Sequence, residues 1–154
     1  MIGVHLFAQY PVRKEMISMA IKFPSDEWIK ELSAKLNASA AYAKAAATWE
    51  GDNLFVILPD ADYPDTTYLY INLQHGKASD ARQLSSLDEQ KALFITSAPF
   101  NTWRRVLEGR LDPIQGIFSG KLKLVGSMAQ VQRTTKATYE MVKVAAQIET
   151  DFGS

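Results

Sequence analysis

The chain contains no cysteine, which removes disulfides, thiolate nucleophiles and thiol-ligated metals and fits a reducing compartment. It has only two histidines, His5 and His75, far apart and without the helical glutamate-flanked pairing of a zinc hydrolase. His75 precedes Gly76 and reads as a turn or hydrogen-bonding residue. No apolar run approaches the roughly 20 residues of a membrane span. The first residues lack the charged-then-apolar order and small-residue cleavage site of a secretory signal, so a cytoplasmic protein is expected. Neither sign of charge is in excess: 17 basic and 17 acidic residues cancel, which argues against affinity resting on the phosphate backbone of nucleic acid.

Catalytic and cofactor motifs are also missing. Gly116 to Leu122 resembles a phosphate loop, but three residues separate Gly116 from Gly120 where four are needed, and Leu122 stands where Mg²⁺ binding needs a hydroxyl. Asp60, Asp62 and Asp65 bunch together without the glycine and glutamate of a calcium loop, so they read as turn chemistry. No Gly-x-Ser-x-Gly elbow supplies a nucleophile. The expectation is a protein that is not an enzyme, with no metal and no cofactor.

What is present suits one domain. At 154 residues, about two thirds of the unfolded surface would be buried on folding, enough for a core and a cavity. Hydrophobic residues at 47% and charged residues at 22% are ordinary values for a folded chain. From Pro99 onward eight basic residues face five acidic ones, a local +3 that leaves −3 on residues 1–98. That excess reads either as solvated helix faces or as a surface for transient contact with an anionic membrane.

Periodicity supplies the elements. Ser25 or Asp26 can cap a long Ala-rich helix after Pro24, with Trp28, Leu32, Leu36, Ala40, Ala43 and Ala47 on one face and Gly51 beyond its end. Asn53 to Leu58 reads as a central strand buried on both faces. Thr67 to Leu73 alternates, with Leu69, Ile71 and Leu73 facing one way, as an antiparallel strand does. Ala78 to Leu84 is polar enough for an edge strand, protected by Asp80 and Arg82. A fourth strand covers Ala92 to Thr96. Pro99 then opens a helix with Phe100, Trp103, Val106 and Leu107 on its stripe, closed by Gly109. Asp112-Pro113 starts a short helix, Gly120 to Gly126 holds a fifth strand, and Ser127 begins one long final helix. Its expected buried stripe is Met128, Val131, Thr135, Tyr139, Val142, Ala146 and Ile148. Five strands flanked by helices without strict alternation give a two-layer α+β domain with a mainly antiparallel sheet.

The order Trp103, Gly109, Asp112-Pro113, then Gly120, Lys121, Lys123 and Gly126, resembles the sterol carrier protein 2 family. So do Trp49-Glu50-Gly51-Asp52 upstream and the strand from Tyr68 running into His75-Gly76. Together these motifs cover roughly residues 19–148 and are similar to bacterial or archaeal single-domain members. The resemblance implies a five-stranded sheet covered by helices on one face, with a hydrophobic tunnel between the layers. It also implies non-catalytic binding or transfer of a fatty acid, fatty acyl-CoA or sterol-like lipid. Taken singly, Phe94, Phe100, Trp103, Leu107, Ile114, Phe118, Leu122, Leu124, Met128, Tyr139 and Val142 read as core. Taken as a set with the resemblance, they are the candidate lipid-binding residues. The chain ends Phe152-Gly153-Ser154 instead of the Ser-Lys-Leu peroxisomal address, which points to a cytoplasmic prokaryotic member and leaves sterol versus acyl chain open. The alternative is an accessory protein-interaction or dimerisation module of the same fold. Monomer and homodimer are both compatible with the sequence.

Met19-Ala20-Ile21-Lys22 looks like a natural start, with Met16 a second candidate. Residues 1–18 are therefore expected to be a peripheral extension, 19–150 the domain, and 151–154 a frayed tail. Deleting residues 1–18 should leave the melting temperature within a few degrees of the full chain by circular dichroism; a collapse of the transition would contradict the peripheral assignment.

Overall fold

Ser25 starts the helical layer in this computed structural model, which describes residues 19–153. Its hydroxyl accepts from the Trp28 N–H at 3.0 Å, satisfying one of the free donors of a first turn. Helix α1 (Asp26–Asn37) carries Asp26 and Glu27 at its start and Lys35 near its end, and buries Trp28, Ile29, Leu32 and Leu36 on one face.

The expected long helix does not continue through the alanines. It stops at Asn37, whose side-chain oxygen accepts from the Ala78 N–H and whose amide donates to the Ala78 carbonyl, both at 2.8 Å. This two-point tie to a strand distant in sequence draws the chain off the helix axis, and Ser39 recaps a second helix, α2 (Ala40–Ala45), by accepting from the Tyr42 N–H.

Among the described residues, short β1 (Ile21–Lys22) lies apart from the main sheet. That sheet contains β2 (Asn53–Leu58), β3 (Thr67–Gln74), β4 (Lys77–Leu84), β5 (Phe94–Pro99) and β6 (Lys123–Val125) in the order β4-β3-β2-β5-β6. Within this sheet β2 and β5 run parallel, and the other neighbours are antiparallel. The apolar strand β2 is central and the polar β4 is an edge, as expected from their composition. Phe55 and Ile57 point into the main core, whereas Leu54 and Val56 join Tyr70 and Leu84 in a smaller cluster on the opposite face. Strand β5 begins at Phe94 instead of Ala92, because its partner β2 begins at Asn53, opposite Phe94. Strand β6 keeps only three residues, paired with Ile95 to Ser97.

Helix α3 (Phe100–Leu107) follows β5 at once. Asp60 receives the Asn101 N–H and Asp62 the Asn101 side-chain amide, each at 2.8 Å, so the acidic loop ties down the start of a helix. Asp112 caps α4 (Pro113–Phe118) through the N–H groups of Ile114 and Gln115. The final helical stretch is two helices, not one: α5 (Met128–Arg133) and α6 (Thr135–Ala145) meet at Thr134, whose backbone leaves the helical region. Hydroxyls of Thr134 and Thr135 donate back to the carbonyls of Gln130 and Gln132, a local bond that competes with the helix ladder and bends it. The break rotates the stripe. Ala137, Val144 and Ala145 are buried in α6, while the expected Tyr139 is half-buried and Ala146 exposed.

The tail does not fray through its described residues. Strand β7 (Thr150–Asp151) pairs in parallel with β1, and Thr150 accepts from the Trp28 indole at 3.0 Å. The Phe152 ring sits 5.8 Å from Phe23, with the Arg104 guanidinium 4.9 Å from its centroid. Local composition favours fraying, but a half-buried aromatic with ring and cation partners opposes it. Residues 1–18 lie outside the described residues.

Replacing Asn37 by Ala strands both backbone groups of Ala78. A loss of about 1–3 kcal/mol is expected in urea denaturation, against less than about 0.5 kcal/mol for Lys30→Ala, which removes an exposed ion pair with Asp26.

Candidate functional site

Phe55 stands on the central strand, hydrogen-bonded on both sides, and still retains accessible surface. That surface belongs to open space between the sheet and the helices. Two voids lie there, one of about 100 Å³ and one of about 60 Å³, and the same five side chains, Phe55, Trp103, Val106, Met141 and Val142, wall both. The larger void extends under α4–α6, where Ile117, Leu122, Leu124, Val131 and Ala137 line it. The smaller one extends toward α1, bounded by Trp28, Leu32, Ile57, Leu69, Leu107 and Ala145.

Trp103 fixes the partition. Its indole N–H donates to the Val56 carbonyl at 3.0 Å, and its ring meets Phe55 edge-on at 5.6 Å. A large ring anchored to the sheet from a helix holds the two layers apart at that point.

Phe94 forms the far wall of the larger void and is held from two sides. Gly51 and Gly126 both adopt positive φ, +152° and +142°, and a Cβ on either would come within 2.5 Å and 2.6 Å of the Phe94 ring. Trp49 packs on the same ring at 4.7 Å and donates its indole N–H to the Gly51 carbonyl at 2.9 Å. Glycine occupies both positions, in the Trp49-to-Asp52 stretch and at the end of the Gly120-to-Gly126 stretch, because this ring fills the space of a side chain.

The voids differ in polarity. The smaller is lined by aromatic and aliphatic side chains alone. The larger adds Tyr42, Asn53, Thr96 and Thr138. Burial pushes the Tyr42 phenol up to about 12, so it stays protonated at neutral pH. Among the described residues no charged side chain lines either void.

Of the candidate residues, Phe94, Trp103, Leu107, Leu122, Leu124 and Val142 line these voids. Phe100 does not: it is only 1% exposed and stacks on Tyr63 at 5.1 Å as core. Ile114, Phe118 and Met128 gather instead around a separate void of about 10 Å³ between α4 and α5, too small for more than one water, and Phe118 is 58% exposed. Tyr139 is turned away by the break at Thr134 and donates to the Asp112 carboxylate at 2.9–3.0 Å, tying α6 to the cap of α4. That bond to a carboxylate holds the phenol above its usual pKa. Sequence reasoning missed Tyr42, Trp49, Phe55 and Met141 as lining residues, and assigned Trp28 and Leu32 only to a core stripe. A Phe flanked by aliphatics in a central strand was the one available signal, and it does not reveal what stands opposite.

The SCP-2 sterol transfer family model matches residues 29–138. The crystal structure of a sterol carrier protein 2 is similar at 36% identity and a TM-score of 0.74, covering 80% of this chain and 97% of that one. A conserved hypothetical protein of Thermus thermophilus, described as possibly a sterol carrier protein, is 35% identical with a TM-score of 0.73, covering 81% and 88%. The sterol carrier protein domain 2 of Helicoverpa armigera shares the fold at 19% identity and a TM-score of 0.52, covering 81% and 91%. No curated protein matches the chain.

Gly126→Ala combines a strained φ with a clash against Phe94, so a loss of about 1–3 kcal/mol is expected in chemical denaturation. The Trp49 emission should shift as the Phe94 ring is displaced. Wild-type stability in this variant would contradict the clamp.

Proposed function

The chain belongs to the SCP-2 sterol transfer family, and on that premise we propose that it holds a fatty acid, fatty acyl-CoA or sterol-like lipid between its layers and passes it on unchanged. The observation that carries the reading is the pair of apolar voids sharing the Trp103 partition. An alkyl chain gains about 0.8 kcal/mol per methylene removed from water. Ten methylenes thus supply roughly 8 kcal/mol before the entropy of association is subtracted. Such binding needs no catalytic group. It also discriminates chain length weakly, because one methylene in an apolar pocket changes affinity by only about 1–3 kcal/mol.

Each void alone is smaller than the roughly 150 Å³ apolar cavity that accepts benzene. A long chain therefore occupies both and passes the partition. Trp103 is tied to the sheet, and Val106 and Val142 are stiff at χ1. Met141, unbranched with three rotatable bonds, is the wall that yields.

The protein works in the cytoplasm, as a monomer or homodimer, and the basic excess after Pro99 assists transient contact with anionic membranes. No helix among the described residues is long and apolar enough to cross a membrane.

Native mass spectrometry of the freshly purified protein should show an added lipid mass, and a long-chain fatty acid should shift the emission of a variant keeping only Trp103. Met141→Trp should exclude long chains while short ones still bind. An empty protein that responds to none of the three lipid classes would contradict the carrier reading.

A further inference from the structure

We infer that the outer face of α4 and α5, with Phe118 exposed between the cations Lys121, Arg133 and Lys136, docks on an anionic lipid bilayer and lets an alkyl chain enter beneath α4. The inference rests on the carrier reading and adds to it the surface through which the lipid comes and goes.

Charge is the first observation. From Pro113 to Tyr139 the chain has four basic residues and no acidic one. Lys121, Arg133 and Lys136 are exposed, and none of them forms an ion pair among the described residues. Arg104 and Arg110, just upstream, both share Glu108 instead. The acids that flank the stretch are engaged. Asp112, at the opposite end of α4 from Phe118, accepts from the N–H groups of Ile114 and Gln115 and from Tyr139, and Glu140 pairs with Lys143 at 3.4 Å.

Phe118 is the second observation. It ends α4 with 58% of its surface exposed. Ile114 and Met128 stand beside it around the small void between α4 and α5, together with Gln132 and Thr135. Arg133 and Lys136 each follow directly on one of those last two residues, and Lys121 follows Phe118 across the Gly120 turn. An exposed aromatic with aliphatic neighbours and unmatched cations suits the headgroup region of an anionic bilayer, where each cation near the surface is worth about fivefold in affinity.

The position of α4 is the third. The helix is six residues long; Pro113 and Ile117 line the larger void, while Ile114 and Phe118 lie toward α5. One short helix thus separates the void from the docking face. Leu93 offers a poorer anchor. It is 66% exposed, but its N–H donates to the Asp52 carboxylate at 2.8 Å, a charge that an anionic surface repels.

Phe118→Trp in the full chain gives the readout. Vesicles of brominated phosphatidylcholine with roughly a third phosphatidylglycerol should quench the new indole and shift its emission to the blue. Brominated phosphatidylcholine alone should not, and the effect should largely vanish near 1 M salt, where the Debye length is about 3 Å. Leu93→Trp should respond to neither vesicle. Lys121→Gln with Lys136→Gln should weaken vesicle binding about twenty-fivefold, two increments of about fivefold. Phe118→Asp should slow transfer of a fluorescent fatty acid to the anionic vesicles at least about fivefold, while its affinity for that fatty acid in solution matches the wild type. Thermal melts confirm that each variant folds.

Stronger quenching at position 93 than at 118, equal binding to neutral vesicles, or no vesicle binding by a protein that still takes up fatty acid would overturn the inference and leave the carrier reading intact. Burial of position 118 in a vesicle-free dimer, or binding to soluble polyglutamate without quenching by the brominated lipid, would assign the face to a second copy or an acidic protein and overturn it likewise. A wild-type protein that binds no fatty acid in solution would remove the carrier reading and the inference with it.

Discussion

The bond from the Trp103 indole to the Val56 carbonyl is the constraint on which the interior depends. A helix laid on a sheet would ordinarily close until side chains interdigitate at the density of an organic crystal. Here the Trp103 side chain reaches from α3 to the central strand, fixed at its far end by a hydrogen bond and braced by Phe55. The layers cannot approach further at that point. Space remains on both sides of the ring, and it forms two voids with common walls.

Other parts of the molecule keep that space from collapsing. Phe94 is clamped by Gly51, Gly126 and Trp49 at one end, so it cannot swing in to fill the larger void. At the other end Phe23, Trp28, Phe100 and Phe152 form an aromatic cluster, closed by the pairing of β1 with β7. Two rigid ends and a central strut leave the flexible Met141 as the adaptable wall. An empty apolar void costs contacts that packing would have supplied, and a fold that maintains one through three separate devices is consistent with a guest that fills it.

Much of this was legible along the chain. The composition of NLFVIL gave β2 its central place, the polarity of Ala78 to Leu84 gave β4 its edge, and Ser25, Asp112 and Ser127 cap helices through their side chains. These features are local, set by periodicity and by residues a few positions apart. The missed features depend on partners far away in sequence. Asn37 ends α1 because of Ala78, and Phe152 is ordered because of Phe23 and Arg104. In the cavity the same division holds: amphipathic stripes identified Trp103, Leu107 and Leu122 as facing inward, but not that Phe55 and Met141 meet around the indole. The break at Thr134 shows how one local bond shifts a whole stripe, exchanging Tyr139 for Ala137 and Met141.

The most direct test of the central claim is a crystal structure of the protein grown with a long-chain lipid. One continuous stretch of alkyl density is expected to run past Trp103, in contact with both Trp28 and Trp49, with Met141 displaced from its position in the present structure. Helices and sheet meeting in a filled interior, with the lipid absent or lying on the outer surface, would contradict it.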